Sequence, residues 1–318
     1  MNYGALIGRA WQLTWRYKVL WIFGILLALA AGGGANGSGN GGGMWSVPST
    51  MLGTEGFLPV LASFALLCCC VLFFLIIAAV VVQYVARTAL YRSVDQIEET
   101  SVGPTWREGF RLGWSNRALR MFLLDLIVGV AFAIAALLVV AIGAMPLLLL
   151  IIDNTAIRVF AVLATLGLES LIILGLVVVG VIVSVLGQFW RREIALADRS
   201  VGEAFSGGMA LARRGGGNVG IMWLLLAAIG VVFGLVMAMV FFGLGIVAVG
   251  AGGGLGYALY GLTDSPALAA LVGVPIFLLI IMLPSAVIRG IYLVFDSSAW
   301  TLVYREVAGN TTTELVAA

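Results

Sequence analysis

The chain has 318 residues, of which 62% are hydrophobic and only 10% charged, and its net charge is +2. A soluble domain carries about a quarter charged residues, so the apolar surplus excludes a chain folded in water and points to lipid as the solvent, while so small a net charge leaves nothing to hold nucleic acid. The sequence has no histidine, which excludes histidine-based triads, proton relays and most zinc sites.

A bilayer core about 30 Å thick needs about 20 apolar residues of helix. Six candidate spans come out in chain order: 19–31, which is short, then 57–86, 121–145, 159–190, 219–249 and 266–288. The first is preceded by ALIGRAWQLTWRYKVLWIF (5–23), where Trp11, Trp15 and Lys18 fall along one side of a helix. The basic residues Arg9, Arg16 and Lys18, the short apolar stretch and Ala28-Leu29-Ala30 also resemble a cleavable signal peptide. The late start of the apolar stretch and its match to an internal repeat argue the other way.

Residues 32–43 read GGGANGSGNGGG, a flexible linker in composition and too irregular for a dinucleotide fingerprint. Met44, Trp45, Val47, Pro48, Phe57 and Leu58 then place part of this loop on the outer membrane face. Cys68, Cys69 and Cys70 are consecutive inside the second span. Neighbours on a helix point about 100° apart, so they form no ordinary disulfide or closed metal site and read as small packing residues. Asp153-Asn154 marks a short outer loop, and 250–265, with Gly252 to Gly254, Tyr257, Tyr260 and Asp264, reads as another. Pro275 and Pro284 in the sixth span are positioned to kink it.

Sixteen of the seventeen lysines and arginines fall on one side of this arrangement, and only Arg158 falls on the other. The positive-inside rule then puts both termini in the cytoplasm. A repeat runs through the same segments. The openings 5–23, 105–122 and 203–223 align, with Leu13, Leu112 and Leu211 spaced by 99 residues, Trp15 on Trp114 and Lys18 on Arg117. The returns 83–94, 188–201 and 296–307 each carry a basic-aromatic helical shoulder, Tyr91-Arg92 matching Tyr304-Arg305. The expected fold is therefore an all-α integral membrane protein, a single domain over 1–318. It holds about six transmembrane helices as three parallel hairpin repeats with cytoplasmic amphipathic shoulders. The units are 1–95, 96–201 and 202–308, with a short polar tail at 309–318.

Two groups of residues carry functional expectations. Glu169 lies about eleven residues, or roughly 16 Å, into the fourth span, where an ionisable group is expensive and by default functional. Asp125 and Arg289 are its candidate partners in an intramembrane polar site. The plainer account is a hydrogen-bonded packing residue. At the membrane interface, Trp11, Trp15, Lys18, Arg111, Trp114, Arg117, Arg191 and Arg192 are candidate contacts for anionic lipid or for other membrane subunits. Here the plainer account is ordinary anchoring.

The stretch GFRLGWSNRALRMFLL (109–124), an aromatic-x-x-Gly-Trp turn followed by a basic residue and an apolar span, resembles the membrane domain found with glycerophosphodiester phosphodiesterases. That resemblance implies architecture and a prokaryotic plasma membrane. It transfers no catalytic residue. No nucleophile, base or ligand cluster converges at matched depth, so neither an enzyme nor a metal or cofactor is expected. The expected role is a non-enzymatic scaffold, accessory subunit or lipid-interacting module. The alternative is a small-solute or ion-coupled transporter or permease using the mid-membrane carboxylate.

Overall fold

The structure is a computed structural model that describes residues 2–30 and 58–317. The glycine-rich linker and the outer-face segment after it lie outside the described residues. The described residues form ten α-helices in order: α1 (Tyr3–Arg16), α2 (Val19–Ala30), α3 (Leu58–Thr100), α4 (Trp106–Gly113), α5 (Asn116–Gly143), α6 (Thr155–Ala195), α7 (Val201–Arg214), α8 (Gly216–Ala248), α9 (Gly254–Thr263) and α10 (Pro266–Ala317). Among the described residues there is no strand. Five stretches of the described residues are long and apolar enough to cross a membrane, and α1 with α2, bent by 95°, would bring the number to six. The chain is thus an all-α multi-pass membrane protein.

The short helices start and stop for local reasons. Asn2 caps α1 by accepting from the amide of Ala5 at 3.2 Å. Tyr17 ends the helix, its backbone having left the helical region (φ −109°, ψ 78°). Thr105 with Glu108, and Ser200 with Glu203, form reciprocal capping boxes that open α4 and α7. At about 1.5 Å per residue, α6 with its 41 residues is about 60 Å long. That is twice the thickness of a hydrocarbon core, so the long helices pass well beyond lipid.

The chain folds into two compact units, 2–115 with 224–302, and 116–223 with the end of the chain from 303. In the first, the buried side chains include Ala10 and Leu13 of α1, Leu20, Phe23 and Leu27 of α2, most of the run from Val85 to Ile97 of α3, and Val294, Phe295 and Trp300 of α10. Gly24 and Gly290 bring α2 and α10 into backbone contact: a Cβ on Gly290 would meet the amide nitrogen of Ile25 at 2.7 Å. In the second unit, Leu124, Trp190, Ile194 and Ala204 form the buried centre of α5, α6 and α7, with Val128, Leu186, Phe205 and Met209 around it.

Several expectations change. The stretch 250–265 is not an outer loop. α8 runs through a π-helical stretch (Val249–Gly253) into α9, and only Asp264 and Ser265 separate α9 from α10. Its glycines serve helix approach instead of flexibility, for a Cβ on Gly252 would meet the Gly273 carbonyl at 2.8 Å. The tail beyond 309 continues α10 to Ala317. The returning shoulders differ most from expectation. Tyr91, Phe189, Trp190, Trp300 and Tyr304 are buried. They form the packed core, while the apolar spans before them are mostly exposed.

Candidate functional site

In the second unit the arginines are largely committed to internal partners. Arg117 of α5 donates to the Ala195 carbonyl at 2.8 Å and pairs with Asp198 at 3.0 Å, and Arg120 reaches the same carboxylate at 3.3 Å. Asp198 sits in the α6–α7 turn with φ 55°, so two guanidinium groups clamp a left-handed corner. Glu193, 2% exposed, accepts from the Tyr304 hydroxyl at 3.0 Å and pairs with Arg199 at 3.0 Å. Arg192 is not a surface lipid contact as its sequence context predicts. It is 1% exposed and folds back on its own helix, donating to the Gln188 carbonyl and side chain at 2.8 and 2.9 Å.

Asp125 pairs with Arg191 at 2.9 Å, both partly buried. The pair lines a cleft of about 230 Å³ between α5 and α6, with Phe132, Trp190 and the glycines Gly129, Gly180 and Gly187. Asp125 is therefore engaged with a residue other than Glu169. Glu169 lies against the end of α5: a Cβ on Gly143 would stand 2.8 Å from its Oε1. Among the described residues Glu169 has no hydrogen-bond or ion-pair partner. Arg289 belongs to the first unit.

The first unit carries the exposed aromatic and basic groups. Trp11 and Trp15 on α1 are 55% and 46% exposed, their rings 5.6 Å apart. Trp15 also meets Trp21 edge-on at 5.3 Å, and the Trp21 indole donates to the Thr14 carbonyl at 2.7 Å. Lys18 does not continue the Trp11–Trp15 stripe. It stands in the break between α1 and α2, because α1 has ended at Arg16. There it lines a cleft of about 380 Å³ with Arg16, Tyr17, Val19, Leu20, Ile97, Gly103 and Pro104. Arg9, by contrast, is paired with Glu98 at 2.9 Å.

On α4, Arg107 lies over the Trp106 ring at 5.1 Å, and Arg111 and Trp114 are exposed. The Glu108 carboxyl is held below the ordinary glutamate value, first by the Thr105 amide and then by its hydroxyl. The Ser200 amide and hydroxyl do the same for Glu203. The cleft residues Arg16, Tyr17 and Gly103 carry no motif that sequence reasoning could have used. The Gly103-Pro104 turn signal was the one local cue. Chemically, the first unit offers cations beside aromatic rings, a setting for anions at an interface. Among the described residues no group of three or more acidic or cysteine side chains could hold a metal ion.

The sequence model of a family of unknown function (DUF7544) matches residues 12–304, and the chain belongs to that family. No curated protein and no solved structure matches it.

Proposed function

We propose, starting from membership of that family, that the protein is a non-enzymatic lipid-interacting module of a prokaryotic plasma membrane, acting as a scaffold or accessory subunit. The observation that carries this reading is the 95° turn from α1 into α2. If α2 enters the bilayer along its normal, α1 must lie along the surface. Exposed Trp11 and Trp15 then rest at headgroup depth. Arg16, Lys18, Arg107 and Arg111 add positive charge at the same level, each worth about 1 kcal/mol against an anionic leaflet.

In this reading the basic helix ends face the cytoplasm, both termini lie there, and the chain is built from three hairpin copies. Support for the copies comes from α1, α4 and α7, each a short helix followed directly by an apolar one, α2, α5 or α8. The same capping box opening α4 and α7 supports them too. The resemblance to the membrane domain found with glycerophosphodiester phosphodiesterases fits this architecture and adds no chemistry.

Lipid analysis of the protein purified in mild detergent tests the reading. Anionic phospholipid should be enriched over its share of the source membrane, and the Trp11→Ala/Trp15→Ala variant should lose part of that enrichment. Equal retention of zwitterionic and anionic lipid would refute it. A transport role has one observation in its favour, the unpartnered Glu169 carboxylate among apolar residues. Solute or proton flux in vesicles that Glu169→Gln abolishes, with folding intact, would establish transport in place of the lipid module.

A further inference from the structure

The α1–α2 corner holds a cleft whose walls and charge are more specific than a basic surface. Its Tyr17 ring is fixed from three directions. The Arg16 guanidinium carbon lies 5.8 Å from the ring centroid. Gly103 lies so close that a Cβ there would stand 2.6 Å from Tyr17 Cδ1. The Tyr17 hydroxyl donates to the Ser101 carbonyl at 3.1 Å, across a corner where Ser101 has φ 58°. The α1–α2 break is thereby docked on the turn that follows α3.

Among the described residues Arg16 and Lys18 are the only charged ones lining the cleft, and no carboxylate lines it. Both are exposed, and neither has an ion-pair partner among the described residues. The rest of the lining is Val19, Leu20, Ile97, Gly103 and Pro104, which is apolar. At about 380 Å³ the cleft falls at the lower end of small-ligand sites, which run from about 300 to 1,000 Å³. Trp15 meets Trp21 edge-on across the same α1–α2 corner, and in the lipid reading above both rings would rest at headgroup depth.

We infer that this cleft is a discrete binding site for the phosphate group of an anionic glycerolipid, with Arg16 and Lys18 holding the phosphate and the Val19–Leu20 and Ile97 wall receiving the start of the acyl region. A phosphate ester supplies what two uncompensated cations lack, and the apolar wall favours one still attached to its chains over a soluble one. The inference rests on the lipid-binding reading above and narrows it to one place.

The test uses the full chain in detergent, with native mass spectrometry following phosphatidylglycerol retained through successive delipidation. The wild type should keep at least one molecule per chain. Arg16→Gln/Lys18→Gln should weaken that retention by about thirtyfold, the combined weight of two interfacial cations. Gly103→Ala, which keeps every charge and displaces Tyr17, should weaken it by a smaller factor. Arg158→Gln, in the other unit and already paired with Asp153, should leave it unchanged. Helicity and elution volume verify that each variant is folded. Unchanged retention in folded Arg16→Gln/Lys18→Gln would overturn the site while leaving the lipid reading standing. Equal retention of phosphatidylcholine by the wild type would overturn both. Displacement of the lipid by an equal concentration of glycerol phosphate would overturn a lipid as the ligand and make it a free phosphate ester.

Discussion

The two halves of α6 are built by different rules. From Thr155 to about Leu186 the helix turns its large side chains outward: Leu163 is 63% and Leu174 62% exposed. From Gly187 to Ala195 nearly every residue is buried, including Arg192 and Glu193. The apolar half meets lipid tails, which are as apolar as leucine, so nothing drives it to hide them. The basic half emerges where water returns, and there burial, hydrogen bonds and ion pairs again decide the structure. The same division recurs in α3, exposed from Phe73 to Ile77 and mostly buried from Val85 to Ile97. In this protein hydrophobicity marks the membrane, and the polar-aromatic helix ends hold the fold.

The largest test of that contrast puts a side chain where backbones touch. Gly290→Val would drive its Cβ into the main chain of Ile25 and should cost about 3 kcal/mol, read as a lowered Tm in detergent. Gly234→Val, with nothing within 4 Å of its Cβ position, should leave the Tm in place. Next in size is Glu193→Ala, which removes the acceptor of the Tyr304 hydroxyl bond and the carboxylate paired with Arg199. It should cost about 2 kcal/mol, against about 1 kcal/mol for Tyr304→Phe. A Tm unmoved by either change would mean that the basic end is not what holds this unit together.

A smaller effect comes from pH. Glu108 and Glu203 are held low by the folded state. The stability they lend is complete above the ordinary glutamate value, about pH 4.3, and is lost as pH falls through their lowered values. Amide exchange at the starts of α4 and α7 should therefore quicken, beyond its intrinsic rate, on going from about pH 5 to about pH 3. Glu108→Gln should abolish that response in α4 alone. Smallest of all, Leu137→Ala and Leu174→Ala on the lipid-facing surface should shift stability by less than about 0.5 kcal/mol. A core-sized loss there would show that these leucines pack against protein.

Hydropathy alone located the long helices, because a run such as 159–190 has one stable environment. It could not tell which aromatic residues pack. Trp15 and Trp190 both follow the same basic-aromatic pattern, yet Trp15 is half exposed and Trp190 lies against Phe205 at 4.6 Å. The difference is made by α7 folding back over α6, a long-range event with no local signature. A helical wheel misplaces Lys18 because it assumes a helix, and α1 stops two residues earlier. Glycines misled for a related reason. In water a run such as Gly252 to Gly254 reads as a loop, but in lipid a backbone must satisfy its own hydrogen bonds. The run therefore stays helical, and its missing side chains let a neighbouring helix come close. Glu169 could be read as an intramembrane carboxylate, but its neighbours could not be read, because Gly143 approaches it from another helix.

The length of α6 has a mechanical consequence. It is an unbroken rod of about 60 Å with only about 30 Å gripped by hydrocarbon. A bilayer that thins forces such a rod to lean. A lean of about 10° would sweep the free 30 Å through about 5 Å. The arginine clamp on Asp198 sits at that moving end, so a change in lipid thickness would be delivered to the water side as displacement, with the helix serving as its own pointer.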